Sequence, residues 1–337
     1  MAEISISSEA KNQRPKVSII IVNWNTKKEI LKAIKSIYNN CTLKFEIIVV
    51  DNNSKDNSDK ILKKKYPKIR IIKNEKNLGY AKANNQGVRA AKGNHIVILN
   101  PDTEVQKQTL ENLLRFFKHN PRLGAVVPKL LNPDGTIQYF YHRKLPNIKY
   151  QIASFIHNYT PFKSFSWARQ LFLLDQKFET DTKIEQAAGV CILTNKTIIG
   201  KIGGLFDENL PIFLNDIDFS VRVKKYKLSI YLVAGSHIVH HRSSSTGKLD
   251  PYTLRQEVIL SSLYYARKNN GYLSYLILKI LIILLLSVLI TLTSIGMLKK
   301  YFMTPITSRQ LSLVKQWGNL TATIVEKRNH SGLVLAS

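Results

Sequence analysis

Short β-branched runs alternate with longer amphipathic stretches along roughly the first 130 residues of the chain. Val17–Val22, Glu46–Val50, Ile69–Ile72 and His95–Leu99 read as strands, and the stretches near Glu29–Tyr38, Ser58–Lys64, Tyr80–Ala91 and Gln106–His119 read as amphipathic helices. That alternation predicts a βαβ series, hence an α/β fold with an open, mostly parallel, twisted sheet flanked by helices. Ligands then belong at the carboxyl ends of the strands.

The pattern changes near Asn269–Gly271. Ile280 to Leu298 is uncharged and apolar throughout, and as a helix it would extend about 28 Å, close to the hydrocarbon thickness of a bilayer. Lys279 on one side and Lys299 with Lys300 on the other give no clear positive-inside asymmetry, so a tilted span and an in-plane helix both stay open. A buried core helix is the remaining alternative. The expected organisation is a flexible N-terminus over 1–14, one α/β domain over 15–270, a membrane-associated or transmembrane helix over 271–300 and a C-terminal tail over 301–337. Within the α/β domain, two halves are expected, over 15–130 and 131–270. The first fifteen residues are polar and the first apolar run is only strand-length, so no signal peptide is expected.

A length of 337 residues suits one large α/β domain with an appendage. Cys41 and Cys191 are the two cysteines, far apart, and support neither a disulfide framework nor a zinc site; a reducing cytoplasm fits best. The 50 Lys and Arg against 23 Asp and Glu leave a formal charge of +27 spread through the chain. Without a zinc-finger spacing, an aromatic RNA-binding motif or a helix-turn-helix, nucleic acid is not the expected partner. The charge points to an anionic membrane surface and phosphate-bearing substrates, or to plain Lys/Ile/Asn bias.

Polar residues cluster at the predicted strand ends: Asn23-Trp24-Asn25-Thr26, Asp51-Asn52-Asn53-Ser54 and Asn100-Pro101-Asp102-Thr103. Strand one is not followed by G-x-G-x-x-G, which argues against a nicotinamide or flavin site, and there is no Walker-type lysine loop. A carboxylate at a strand end can accept hydrogen bonds from a nucleobase or ribose, and another can hold a hard divalent cation. Asp51 and Asp102 are the candidates, although each alone also reads as a helix cap or turn residue.

Together these residues resemble the family 2 glycosyltransferases, in particular the rhamnosyltransferase-like branch with the nucleotide-diphospho-sugar transferase fold called GT-A. The resemblance runs over roughly residues 15 to 270. Val17–Asn25 is similar to the opening strand and Val49–Ser54 to the nucleotide-binding strand end. Asn77-Leu78-Gly79-Tyr80-Ala81 with Asn84-Asn85-Gln86-Gly87 resembles the motif beneath the donor, and Leu99–Asp102 the acidic metal motif, its first carboxylate replaced by Asn100. Gln186–Leu193 looks like the glycine-containing strand, Ile202–Glu208 like the acceptor-side turn, and Phe213–Arg222 like the segment carrying the catalytic base. There the usual Glu-Asp pair reads Asn215-Asp216. Ile238-Val239-His240-His241-Arg242 is similar to the closing segment, where a histidine can complete the metal site.

The resemblance implies inverting, metal-dependent transfer of a sugar from a nucleotide-diphosphate donor to a glycan or lipid-linked glycan acceptor of a cell wall or surface polysaccharide, at the cytoplasmic face of the membrane. Rhamnose from a thymidine-diphosphate donor is the leading sugar; a uridine-diphosphate donor carrying another sugar is the alternative. Asp216 is the expected base, and Asp102 with His240 the expected ligands of Mg²⁺ or Mn²⁺. The expected substrate-binding residues are Asn23, Asn25, Asp51, Asn53, Asn77, Gly79, Asn84, Asn100, Gly189, Asp218 and Arg222. Arg222 lies one helical turn past Asp218 and either rigidifies the site by pairing with it or forms an exposed surface pair. His240 and His241 adjoin on an expected strand, so only one can face the site. The aromatic-rich stretch from Asn132 to Lys183, with Tyr139, Phe140, Tyr141, Phe155, Tyr159, Phe162, Phe165 and Trp167, is read as acceptor-side or lid material, or as core. An inactive membrane-bound sugar- or lipid-binding module and a nucleotidyltransferase are the readings from other classes.

Overall fold

The computed structural model describes residues 15–139, 144–152, 176–242, 246–301 and 308–325, with the side chains of the last two helices described in part. Of the aromatic-rich stretch, Tyr139 is described; Phe140, Tyr141, Phe155, Tyr159, Phe162, Phe165 and Trp167 lie outside the described residues. These residues divide into two compact units. One runs up to residue 145 and from 176 to 248, and the other comprises 146–152 and the residues from 249 on.

The first unit is built on β1 (Val17–Asn23), whose seven residues are all buried. A strand buried on both faces needs an apolar run rather than alternation, and the Val17-Ser18-Ile19-Ile20-Ile21-Val22 sequence supplies it. Each fully buried Ile contributes about 1.5–3 kcal/mol relative to exposure. Strand β1 pairs in parallel with β2 (Phe45–Asp51) and β4 (His95–Leu99), and β2 with β3 (Arg70–Lys73). The crossovers are α1 (Lys27–Asn40), α2 (Ser58–Lys65) and α3 (Tyr80–Ala90). In α1, Ile30, Ala33, Ile34 and Ile37 recur at helical spacing and are buried. Strand alternation sends Ile19, Ile21, Val97 and Leu99 into the core under α1, while Ile20, Val22, Ile96 and Ile98 enter the second core on the other face.

Beyond β4 the chain forms β5 (Thr103–Val105), α4 (Thr109–His119), β6 (Leu123–Leu131), β7 (Thr182–Ile184), β8 (Cys191–Asn195), α5 (Lys196–Lys201), α6 (Asn215–Lys225) and β9 (Ser229–His240). The strand order is β3-β2-β1-β4-β8-β6-β9-β5, with β7 also on β9. The sheet is therefore mixed, which corrects the expectation of a mostly parallel one. The β3-β2-β1-β4 half is parallel, but β8 runs antiparallel to both β4 and β6. The physical reason lies in how β8 is entered. Its approach segment arrives at the edge where β4 ends, with Asn100 N–H donating to the Val190 carbonyl at 2.9 Å, so the strand returns without a crossover helix. The helix expected from Gln106 starts only at Thr109, because Thr103–Val105 pairs with His240–Ile238 as β5.

The second unit is helical. Helix α7 (Pro251–Tyr265) is capped by Asp250, whose carboxylate accepts from Tyr252 and Thr253 N–H, and carries Pro251 in its first turn. A π-helical turn over Ala266–Asn270 leads to α8 (Tyr272–Tyr301), followed by α9 (Ser308–Val325). Ile259, Leu263, Leu278, Ile282, Leu286, Leu320 and Ile324 form its core. Leu273, Ile277, Ile280, Leu284 and Val288 of α8 are exposed. Among the described residues no helix is long and apolar enough to cross a membrane.

Candidate active site

Parallel pairing puts Asn23 beside Asp51 at the carboxyl ends of β1 and β2. Asn23 Nδ2 donates to Asp51 Oδ1 at 2.8 Å, to Ser54 Oγ at 2.9 Å and to Ser58 Oγ at 2.7 Å, and Thr26 Oγ1 donates to Asn23 Oδ1 at 2.7 Å. Asp51 Oδ2 accepts from Ser54 N–H at 3.1 Å. The fully buried Asp51 carboxylate is kept in place by these donors. Asn25 and Asn53 both adopt left-handed backbone, which asparagine tolerates better than most residues. Their side chains tie loops together: Asn25 Oδ1 accepts from Lys55 N–H at 2.6 Å, and Asn53 Oδ1 accepts from Lys55 Nζ at 3.2 Å. Lys248 Nζ donates to the Asn25 carbonyl, fastening the turn at 246–248 over the end of β1.

Behind β2, Asn52 Nδ2 donates to Asn77 Oδ1 and to the Gly79 carbonyl, both at 3.1 Å, and Gly79 N–H donates to Asn77 Oδ1 at 3.0 Å. Gly79 has φ of +81°, and a Cβ there would stand 2.8 Å from Pro211 Cβ and 2.9 Å from its carbonyl oxygen. Only glycine meets both conditions. Asn84 Nδ2 donates to the Tyr80 carbonyl at 2.9 Å, while its buried Oδ1 has no hydrogen-bond partner. Tyr80 reaches the centre of the cluster, its hydroxyl donating to the Gly189 carbonyl at 2.6 Å. Burial pushes the phenol well above its ordinary range, and the Asp216 and Asp102 carboxylates add to the effect, which places both acids within electrostatic reach of one hydroxyl.

Asp216 sits in the first turn of α6, where unpaired N–H groups favour a carboxylate. Its Oδ2 accepts from Gly189 N–H at 3.0 Å and from Gln186 Nε2 at 3.3 Å, and its Oδ1 from Ile217 N–H at 2.8 Å. Gly189 thus bridges Tyr80 and Asp216, and its neighbour Val190 holds the backbone of Asn100, whose carbonyl accepts from Thr103 Oγ1 at 2.7 Å.

Asp102 and His240 are both nearly fully buried, with His240 Nε2 3.3 Å from Asp102 Oδ1. Strand alternation turns His241 the other way, to Glu104 at 2.8 Å. Gln138 fixes the imidazole. Its Nε2 donates to the His240 carbonyl at 2.6 Å and to the Leu131 carbonyl at 3.2 Å, so its Oε1 faces His240 Nδ1 at 2.9 Å. That network assigns a proton to His240 Nδ1 and turns Nε2 towards the Asp102 carboxylate. Among the described residues no group of three or more His, Cys, Asp and Glu side chains is assembled to hold a metal ion.

Asp218 and Arg222, expected at the substrate, pair with each other and with the backbone of the 202–205 turn. Asp218 is fully buried and accepts from Arg222 Nε at 2.8 Å. The Arg222 guanidinium donates to the carbonyls of Ile202 at 3.1 Å and of Gly204 and Leu205 at 2.6 Å each, pinning the turn before Phe206. The Asp218 carboxylate has no exposed surface and the Arg222 side chain keeps 14%, so the two do not form an exposed surface pair. Gln138 and Tyr80 are site residues that no expectation included. Tyr80 lies inside a quoted motif, whereas nothing around Gln138 in the sequence signals its role.

A parallel β3-β2-β1-β4 half with polar strand ends, joined to a mixed half that brings Gly189, Asp216 and His240 to the same edge, defines a GT-A-like α/β protein. The solved structure of GalNAc-T7 with UDP, GalNAc and Mn²⁺ has the same fold, with a TM-score of 0.52 at 16% identity over 76% of this chain and 51% of that one, so the chain spans about half its length. The chain belongs to glycosyl transferase family 2, whose profile matches residues 18–202, and it is a glycosyltransferase. It is 25% identical over 239 residues to N-acetylglucosaminyl-diphospho-decaprenol L-rhamnosyltransferase of Mycobacterium tuberculosis (67% of this chain, 76% of that one). It is 25% identical over 245 residues to the O-antigen biosynthesis protein RfbC of Myxococcus xanthus (68% and 18%), and 34% over 125 residues to the minor teichoic acid biosynthesis protein GgaB of Bacillus subtilis (35% and 14%). The family match and the mycobacterial relative support the rhamnosyltransferase-like branch.

Proposed function

We propose that the protein transfers a sugar, with inversion, from a nucleoside-diphosphate donor to a glycan or lipid-linked glycan acceptor at the cytoplasmic face of the membrane. The carrying observation is the Gly189 node, whose N–H holds Asp216 and whose carbonyl holds Tyr80, beside the Asp102–His240 pair. Asp216 takes the proton of the acceptor hydroxyl as that oxygen bonds to the anomeric carbon; the bond from that carbon to the diphosphate breaks, and its electron pair leaves with the diphosphate oxygen. Gly189 and Gln186 fix Oδ2 and so aim the carboxylate. In this reading Asp51, with Asn23 behind it, meets the nucleoside, and Asn25, Asn53, Asn77, Gly79, Asn84 and Asn100 shape the donor's bed. Asp102 and His240 would hold Mg²⁺ or Mn²⁺, and such an ion, when bound, neutralises charge growing on the leaving diphosphate. The donor set fits by its chemistry: one carboxylate and one imidazole, with His240 Nε2 3.3 Å from Asp102 Oδ1.

Rhamnose from a thymidine-diphosphate donor is the leading sugar, supported by the mycobacterial relative, whose name also specifies a lipid-linked diphosphate acceptor. Membrane association is supported by the exposed Leu273, Ile277, Ile280, Leu284 and Val288 of α8 and by the formal +27 charge, which suits an anionic surface. The test is a panel of thymidine- and uridine-diphosphate sugars with the purified full chain and a polyprenyl-diphosphate N-acetylglucosamine acceptor, with and without Mn²⁺, following product mass and released nucleoside diphosphate. Metal-stimulated rhamnosyl transfer is the expected result. Transfer of the nucleotide in place of the sugar, or no turnover of any donor, overturns the proposal.

A further inference from the structure

A groove of about 420 Å³ lies between α4 and the middle of β9, inside the first unit and away from the strand-end cluster. Gly235 on its wall lies before the ladder stretch His237–His240, whose three steps run about 10 Å along the strand. It owes its shape to a bulge: opposite Pro128 and Lys129 the register of β9 jumps from Val233 to His237, so 234–236 project from the ladder. Three contacts hold the projection. Ala234 N–H donates to Asp181 Oδ1 at 2.8 Å, Asn112 Nδ2 donates to the Gly235 carbonyl at 3.0 Å, and Ser236 Oγ donates to the Thr109 carbonyl at 3.3 Å. The groove is therefore preformed.

Its wall from α4 is a stripe at helical spacing, Asn112, Arg115, Phe116 and His119, beside the face that buries Leu113, Leu114 and Phe117. Phe116 supplies an aromatic surface, braced by the Tyr231 ring at 5.6 Å between centroids. Around it stand polar groups with capacity left over. Arg115 uses one Nη on Asn112 Oδ1, and Asp181 uses Oδ1 on the bulge; His119 commits Nδ1 to the Arg115 carbonyl, leaving Nε2 for a ligand. Donors and acceptors are mixed, and one guanidinium is balanced by one carboxylate in a chain whose formal charge is +27. A phosphate would meet Asp181, and a cation would meet Arg115. A neutral ring with an apolar face and hydroxyls around its edge matches both the aromatic surface and the mixed donor set.

We propose that this groove is an accessory saccharide-binding site, separate from the Gly189 cluster and independent of which donor the enzyme uses. Gly235 offers a direct probe. Its φ lies outside the left-handed range, and an added Cβ meets nothing nearer than Asn112 Nδ2 at 3.8 Å, so Gly235→Leu fills the groove without straining the backbone. The experiment is saturation-transfer NMR on the full chain with methyl rhamnoside, N-acetylglucosamine and cellotriose as probes, in the absence of nucleotide, on the wild type, Gly235→Leu and the surface variant Arg115→Gln. At least one probe is expected to bind, with affinity at least tenfold lower in Gly235→Leu and reduced in Arg115→Gln, while UDP affinity and the thermal midpoint stay unchanged. The assignment is overturned if no probe binds, or if binding persists undiminished in both variants, which would put the sugar elsewhere.

Discussion

Gln138 and His240 hold each other through two hydrogen bonds: the amide N–H donates to the histidine carbonyl at 2.6 Å, and the amide oxygen faces the imidazole Nδ1 at 2.9 Å. The first bond orients the amide, and the second fixes the tautomer, so one glutamine determines which way the His240 lone pair points. Gln138→Leu removes the contacts to the His240 carbonyl, the Leu131 carbonyl and the His240 imidazole, a loss of about 1–3 kcal/mol. If Asp102 and His240 hold a cation, the same change lowers Mn²⁺ affinity about 10–100-fold, read from the resonance of free Mn²⁺ in titrations. Unchanged Mn²⁺ binding by a folded Gln138→Leu protein would remove His240 from the ligand set.

The Arg222–Asp218 pair predicts a stability phenotype distinct from loss of chemistry. Asp218 is fully buried, and Arg222 also holds three carbonyls of the 202–205 turn. Arg222→Leu removes this buried ion pair and should cost about 3–5 kcal/mol in denaturant unfolding, with the double change Arg222→Leu/Asp218→Leu recovering a substantial part. Arg222→Lys should fall short of the wild type as well, since an ammonium cannot serve the carboxylate and three carbonyls in one plane. A single variant as stable as the wild type would show that the pair lies nearer the solvent than its geometry indicates.

Helix α7 carries a pH dependence. Glu257 is buried with neither carboxylate oxygen hydrogen-bonded among the described residues, and burial pushes its pKa up from 4.5 to about 7. The unfolded chain therefore releases this proton at lower pH than the folded one, so stability is greatest below about 4.5 and falls as pH rises towards 7, for this group alone. The full cost above that range is on the order of 3 kcal/mol. Glu257→Gln should remove this component and raise the midpoint of thermal unfolding at pH 8 more than at pH 5. Equal shifts at the two pH values would contradict the placement of Glu257.

The parallel half of the fold was legible because apolar runs such as Val17–Val22 and helical recurrences such as Ile30, Ala33, Ile34 and Ile37 are local signals. The mixed half was not. The direction of β8 depends on the path of the segment before it, and β5 is three residues whose identity as a strand comes from pairing with β9. At the site, motif residues such as Asp51, Gly79, Asp102 and Asp216 stand at strand or helix ends where the order of elements put them. Gln138 could not be found, since its partner lies 102 residues away and no motif surrounds it. The Asp218–Arg222 spacing announced a pair, but its burial is set by carbonyls of the 202–205 turn, which sequence spacing does not place.

The account rests on Asp216 receiving the acceptor proton while Gly189 and Gln186 hold its carboxylate in place. The most direct measurement compares steady-state sugar transfer by Asp216→Asn and wild type, alongside nucleotide affinity and thermal unfolding of both. The expected result is a transfer rate lower by about 10²–10⁴-fold, with nucleotide binding and stability retained. Wild-type transfer by a natively folded Asp216→Asn protein would contradict it.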